Sequence, residues 1–494
     1  MTGQEQTTTV GQLPASTTDQ SRLPTVLTRL AWLLWVLSLG ALAGALSTGT
    51  PWTGVGLRVD GLTALLWVVA TFFSGVVHSY SRRYMAGSRT IDRFFRRLFA
   101  FTLLVMILVA ADGVVLFGAA WLGMGLVMAD LIGHVTRWPQ AQAAARRSRR
   151  SVLASSALLA ASLSTLWWHT GAATISGITS SVATASPAVV LLAASGLLLA
   201  AMIQSALFPV HRWLFSSMTA PTPASALMHA GFVNAGGILL VRFGPLVAAE
   251  PLFMLVVVLV GAVSALGGKL MKTVRTDVKS ALACSTVGQM GFMIMQVGLG
   301  FFGAAITHLV LHGFYKAYQF LASGSRVSHD SPTAAPDSDS PGPIDAAVIA
   351  VTGLAGGLLF ATLTGKGTAL DSGLVLTLLV VLTVLQAART VVPRTGLATV
   401  FRYGAVPLVA LPAIAVYAGT YRAVTVVLSD LPVVSQPAAF TALHALVAGA
   451  FLLAAVAIER GVHRHSQRLY VALLNAGQPP TDTLLTSTED YNEY

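Results

Sequence analysis

Apolar runs of bilayer length recur along this chain, and they constrain its fold more than any other feature. Candidate spans lie at 28–47, 61–79, 95–111, 113–133, 151–169, 188–208, 221–243, 245–268, 280–299, 301–323, 344–364, 372–391, 403–420 and 437–457. A hydrocarbon core about 30 Å thick takes roughly 20 residues of helix to cross. Only 10% of the 494 residues are charged, against about 25% in a soluble domain. A transmembrane barrel would show roughly ten-residue segments of alternating polarity, and the sequence has none. It therefore predicts an all-α, polytopic membrane protein with about fourteen transmembrane helices.

Charge placement tests that count. Arg82, Arg83, Arg89, Arg93, Arg96 and Arg97 follow the second span, and Arg137, Arg146, Arg147, Arg149 and Arg150 the fourth. Lys269, Lys272, Arg275 and Lys279 follow the eighth, Arg394 and Arg402 the twelfth, Arg460, Arg464 and Arg468 the last. Every cluster follows an even-numbered span, and one missed span would break the alternation. Arg242, Lys366 and Arg422 are isolated exceptions. Basic loops stay in the cytoplasm, so both termini are expected there. The net charge of +11 then reflects topology and not a nucleic-acid-binding face. Cys284 is the single cysteine, which excludes an intramolecular disulfide and multi-cysteine zinc or iron–sulfur sites.

The expected organisation is a disordered tail over 1–24, which lacks the basic and small-residue features of a signal peptide. A transmembrane core over 25–325 follows. Residues 326–343 read as a polar cytoplasmic linker rich in aspartate and proline, 344–460 as C-terminal transmembrane helices, and 461–494 as a cytoplasmic tail.

Ionisable groups within spans cost about 2.5–3.5 kcal/mol each on insertion scales and need a reason. The chain has five lysines. Three lie in one basic loop, and Lys366 lies in a short outer loop. Lys316 alone sits well inside a span. His308 and His312 precede it at spacings of four, which places all three on one helical face, drifting about 40° per step. Imidazole titrates near neutrality, and a buried lysine loses basicity, so the row suits proton transfer. The competing reading is a satisfied polar contact between helices. His-x3-His could also clamp a metal, but no third ligand lies nearby in sequence.

A second polar stretch covers 204–243. Pro209, Pro221 and Pro223 forbid one continuous helix, and broken helices at membrane depth line cavities or are covered by protein. His229 lies in its second half, and Asn234, Gly236 and Gly237 permit close backbone packing. Asp60 reads as a helix cap. Asp130, near the inner end of the fourth span, is either a functional carboxylate or a partner for loop arginines. No nucleotide-binding loop or nucleophile–base motif suggests an enzyme.

The ordered segments VDGLTALLW (59–67), HSYSRRYM (78–85), ADGVVLFGAAW (111–121), PVHRWLFSSMTAPTPASALMHAG (209–231), KLMKTVRTDVKSALACSTVGQMGF (269–292) and HLVLHGFYKAYQFLASGS (308–325) resemble the antiporter-like subunits of respiratory complex I and Mrp antiporters. The stretch 211–243 looks most like the membrane subunit of energy-coupled inorganic-carbon pumps, the DabB-like group. The resemblance implies an antiporter-like fold with broken helices in a bacterial plasma membrane. It implies a proton or ion path through His229, His308, His312 and Lys316, with Asp130 as a possible addition. It also implies a DabA-like zinc-binding partner, similar to β-carbonic anhydrases, on the cytoplasmic face. No cofactor or metal is expected in this chain itself.

The sequence also departs from the family pattern. Leu122 stands where the family has a membrane glutamate after the tryptophan, and Gln204 falls near the expected lysine. No clear match to the family's late broken helix, with its lysine, follows residue 344. The leading function is thus an ion-translocating subunit of an inorganic-carbon uptake complex. A cation/proton antiporter or complex I subunit is the alternative, and a structural membrane scaffold the third.

Overall fold

The computed structural model describes residues 21–326, 342–391 and 399–483. Most of the 326–343 linker and both chain ends therefore lie outside the described residues.

The chain is a bundle of helices: α1 (Leu23–Thr48), α2 (Gly61–Tyr84), α3 (Ile91–Ala110), α4 (Val114–Ile132), α5 (Pro139–Thr170), α6 (Ile175–Ser180), α7 (Pro187–Gln204), α8 (Arg212–Ser216), α9 (Thr222–Ala230), α10 (Ala235–Arg242), α11 (Gly244–Ala248), α12 (Pro251–Lys272), α13 (Val278–Gly298), α14 (Phe302–Leu321), α15 (Pro343–Thr364), α16 (Gly373–Val391), α17 (Thr399–Val427), α18 (Ala442–Glu459), α19 (Val462–His465) and α20 (Gln467–Ala476). Each of the fourteen expected spans falls on one of these elements, the seventh on the pair α9 and α10. Eleven described stretches are long and apolar enough by themselves to cross a membrane; α3, α14 and α16 are the other three. A short antiparallel hairpin, β1 (Trp52–Gly54) with β2 (Leu57–Val59), precedes α2 and was not expected. α5 starts twelve residues before the expected span, because its first three turns carry polar and arginine side chains that a hydropathy window excludes.

The break between α9 and α10 follows from local chemistry. Gly231 leaves the helical region and Phe232–Asn234 form a tighter turn. The carbonyls freed there find side-chain donors. Gln204 Nε2 donates to Phe232 O at 3.2 Å and Ser205 Oγ to Val233 O at 2.7 Å, while Asn234 Nδ2 donates to Ala230 O at 2.7 Å. An unpaired carbonyl here would cost several kcal/mol. The end of α7 thus holds the break open.

α12 and α13 pack backbone to backbone. A Cβ on Gly268 would lie 2.2 Å from Gly288 N, so only glycine permits this approach. The main apolar core runs through α2–α14. A second cluster joins Val258, Met295, Phe301 and Ala304 to Phe360, Leu376, Ile414 and Val447, forming a seam between α12–α14 and α15–α18. Part of the expected C-terminal tail is ordered structure. α20 lies against the core, where Arg275 Nη2 donates to Leu474 O at 2.7 Å and His211 Nε2 sits 2.9 Å from Ala476 O.

At the end of the bundle where α2 begins, Asp60 caps that helix through Thr63 N at 2.9 Å. It is buried and ion-paired with Arg242, which also donates to Thr63 Oγ1 and Val109 O, each at 2.8 Å. Burial raises the Asp60 carboxyl pKa, but the charge and hydrogen bonds of Arg242 and Thr63 outweigh it and hold the group below its ordinary value. Stability from this contact is therefore complete at neutral pH. It is lost as pH falls through the depressed carboxyl value, below about 4. Asp60→Asn strands the Arg242 charge and should cost about 3–5 kcal/mol. Melting curves in detergent should show a wild type that loses stability in acid and a variant that is weak throughout; equal melting at pH 7 would refute the role.

Candidate functional site

α14 presents His308, His312 and Lys316 on successive turns of the face turned into the bundle. Lys316 is fully buried, His312 is 5% exposed and His308 is half-buried. The two imidazoles are nearly parallel, with centroids 5.6 Å apart. Among the described residues, neither nitrogen of His312, nor Nε2 of His308, has a hydrogen-bond partner. Lys316 Nζ donates to Leu282 O of α13 at 2.8 Å and has no carboxylate partner among the described residues. α9 brings His229 against the same row. Its ring stacks on Phe320, one turn beyond Lys316, at 4.3 Å, and its Nδ1 lies 2.9 Å from Thr286 Oγ1. His229 and Lys316 are both within electrostatic range of His312. The four basic residues singled out in sequence thus form one cluster at the junction of α9, α13 and α14. An imidazole can accept a proton on one nitrogen and release it from the other, so unpartnered rings in line with an amine can relay protons.

Asp130 sits elsewhere. Its carboxylate is ion-paired with Arg149 and lies 3.8 Å from Arg97, and Arg97 also donates to Asp130 O at 3.0 Å. The structure places it with Arg97 of α3 and Arg149 of α5, apart from the histidine row. No carboxylate takes the vacant family position either. Trp121 is tied through Ser155 to Ala200 O, Leu122 follows it, and Gln204 is engaged by the helix break.

Sequence reasoning missed Lys366. It lies just past the end of α15, where a hydropathy reading gives an outer loop. Its side chain is nonetheless 1% exposed. Nζ has no hydrogen-bond partner and lies 3.2 Å from the Tyr421 ring centroid, with Phe301, Phe360 and Tyr417 at 5.5–5.8 Å. Cation–π contact is its compensation. The Gly365-Lys366-Gly367 break beside an apolar helix was the available signal, since both glycines take positive φ.

Between His308 and Lys366 lies the seam of the two helix sets. A cavity of about 620 Å³ opens there, lined by Lys269, Lys272, Gln289, Gln296, His308 and Tyr417. The Gln296 side chain faces the Tyr417 hydroxyl, and Gln296 Oε1 has no partner. His308, Gln296 and Tyr417 thus face one cavity, with His312 and Lys316 behind His308 on α14 and Lys366 Nζ 5.8 Å from the Tyr417 ring centroid. Among the described residues no group of three or more His, Cys, Asp or Glu could hold a metal.

Comparisons with known proteins bear on the family and the fold. Residues 111–338 match the family described as NADH:quinone oxidoreductase/Mrp antiporter, transmembrane, and residues 46–95 the N-terminus of complex I chain 5. A probable inorganic carbon transporter subunit, DabB1, of Halothiobacillus neapolitanus is 36% identical over 288 residues, covering 57% of this chain and 51% of the relative. The NADH-quinone oxidoreductase subunit L of Mycobacterium tuberculosis is 38% identical over 275 residues, covering 55% of this chain and 43% of the relative. The chain thus spans about half the length of the curated relatives it matches. The Mrp complex structure from Dietzia sp. superposes with a TM-score of 0.54 at 23% identity, covering 94% of this chain and 54% of the matched one, which shows a shared fold.

Lys366→Met retains the apolar stem and removes a buried amine that no acceptor satisfies. Its melting temperature should hold or rise slightly, because an unsatisfied buried polar group costs about 1–3 kcal/mol. A fall of more than about 5 °C in a detergent melt would make Lys366 a structural staple.

Proposed function

Because this chain belongs to the antiporter-like membrane subunits of the complex I and Mrp type, which move ions through the bilayer, we propose that it conducts protons for an energy-coupled inorganic-carbon uptake complex. The carrying observation is the row His308, His312 and Lys316, which has no carboxylate partner among the described residues and in which His312 and Lys316 are buried. Holding such groups in hydrocarbon is expensive, and a purely structural contact would satisfy them. In this reading protons move along the row, cross the seam by Gln296 and Tyr417, and reach Lys366. His229 sets the charge balance at the Lys316 end. Asp130 has no part in the route.

The carbon-pump assignment rests on two supports. One is similarity to relatives named as inorganic carbon transporter subunits. The other is the loss of the glutamate–lysine pair at Leu122 and Gln204, which a respiratory pump of this family carries. The partner is a DabA-like zinc protein on the cytoplasmic face of a bacterial plasma membrane. It would hydrate CO2 to bicarbonate while this chain supplies the proton-motive drive. The similarity to complex I subunit L keeps a second reading alive: a cation/proton antiporter or respiratory subunit.

A bacterial strain lacking carbonic anhydrase, grown in ordinary air, separates the two. Co-expression with the zinc partner should rescue growth, neither protein alone should, and a protonophore should abolish the rescue. Failure of the well-expressed pair, with cation-driven proton flux in vesicles, would favour the antiporter. Lys316→Ala and His312→Ala should lose rescue by at least about a hundredfold in plating efficiency, the scale of removing a proton-transfer group, with insertion intact. Lys366→Met should do the same. Wild-type rescue by the Lys316 and His312 variants would sink the row as the proton path.

A further inference from the structure

α13 carries a buried threonine that stands between two members of the basic cluster. Thr286 is fully buried, and its hydroxyl meets two groups. Oγ1 lies 2.9 Å from His229 Nδ1 of α9, and 2.9 Å from Leu282 O one turn back on its own helix. Leu282 O also accepts from Lys316 Nζ at 2.8 Å. One hydroxyl and one carbonyl thus connect the His229 ring to the Lys316 amine.

A hydroxyl has a single proton to give, so two arrangements fit these distances. In the first, Thr286 donates to Leu282 O and accepts from His229 Nδ1–H. Both hydrogen bonds form, and the ring is left with Nε2 as a bare acceptor. In the second, Thr286 donates to a bare Nδ1 and Leu282 O loses that donor. The ring proton then sits on Nε2, which has no hydrogen-bond partner among the described residues. The second arrangement makes one bond fewer and strands a buried N–H, which native structures avoid more strictly than an empty acceptor. The first therefore wins. Stacking on Phe320, with centroids 4.3 Å apart and 17° between the planes, fixes the plane of the ring.

We infer that Thr286 is a positioning residue: it holds neutral His229 as the Nδ1–H tautomer and makes Nε2 the nitrogen at which this ring gains and loses a proton. The inference rests on the proton route proposed above, in which His229 stands at the Lys316 end. The hydrogen bond made by one ring nitrogen decides what the other can do. A proton arriving at Nε2 forms an N–H bond on its lone pair and leaves by breaking the same bond. Neither step disturbs Thr286, Leu282 O or Lys316. In the opposite tautomer, uptake at Nδ1 would force the hydroxyl to turn away first.

Nitrogen NMR of the full chain in bilayers, with its eleven histidines isotope-labelled, reads which ring nitrogen holds the proton. Loss of one signal in His229→Gln assigns it. The wild type should show Nδ1–H. Thr286→Val keeps the shape and removes the hydroxyl, so the Nε2–H form should appear. Rescue of the carbonic-anhydrase-deficient strain should fall about tenfold, the value of one hydrogen bond. Thr286→Ser returns the hydroxyl and should restore both readouts. Thr307→Val, which removes a buried hydroxyl that back-bonds to Gly303 O at 2.8 Å, should leave both unchanged. Nε2–H in the wild type would overturn the inference whether or not Thr286→Val folds. So would an unchanged tautomer in Thr286→Val, or full rescue by that variant while Lys316→Ala fails; the latter would leave the route standing. Full rescue by Lys316→Ala would instead overturn the route itself.

Discussion

The structure turns on the cost of leaving a polar group unsatisfied where water is scarce. At several positions this chain avoids that cost. The carbonyls freed between α9 and α10 receive Gln204 and Ser205. The Trp121 indole is passed through Ser155 to a backbone carbonyl. The buried Asp60 meets Arg242. Other buried atoms also lack partners, among them His78 Nε2, His134 Nδ1 and His444 Nε2. His312 differs in having both ring nitrogens unpartnered, with His308 Nε2 on the same helical face and Lys366 Nζ in the C-terminal helix set. Stability alone would have favoured apolar side chains or partners at these positions, which supports reading a pathway there.

The scaffold that holds the line is rigid for the same reason. Glycine contacts lock α12 to α13, and α13 supplies both Leu282 O to Lys316 and Thr286 to His229. The broken helix delivers His229 to the row, and the break is held open by the end of α7. α20 adds a tie from the C-terminal side to Arg275 and His211. A shift of either helix set would therefore be felt at the seam, where His308 lines a cavity and Lys366 sits in its ring of aromatic side chains.

Much of this was legible in sequence, and the reasons differ by feature. The spans were readable because bilayer crossing demands length and apolarity together, and loop charge supplied an independent check. The row on α14 was readable because spacing of four maps directly onto one helical face. The exceptions to the charge rule were where the sequence was least transparent, and each has a structural cause; Arg58, which also follows an odd-numbered span, lies 3.5 Å from Asp60. Arg242 is neutralised by Asp60, Arg422 donates to Leu363 O at 3.0 Å, and Lys366 turns inward to four aromatic rings. Those partners come from elements far apart in the chain, so no local pattern could announce them. Asp130 was ambiguous for the same reason: only the fold brings Arg97 and Arg149 to it.

The replacement of the family's acidic–basic pair by Leu122 and Gln204 changes the electrostatics of the whole core. With Gln204 committed to a carbonyl, Leu122 inert and Asp130 of α4 held by Arg97 and Arg149, no unpaired carboxylate among the described residues of α4 or α7 lowers the cost of a proton on the row. The positive charge that a proton adds to His308 or His312 must then be offset from the other side, by the Gln296 carbonyl oxygen and the Tyr417 hydroxyl across the seam. Lys366 beyond them is already caged by ring faces that favour a cation. A proton on the proposed row is repelled by Lys316 on its own helix and faces the polar groups of the seam on the other side. In the proposed route an amine therefore stands at each end, Lys316 on α14 and Lys366 among its aromatic rings, with the polar groups of the seam between them.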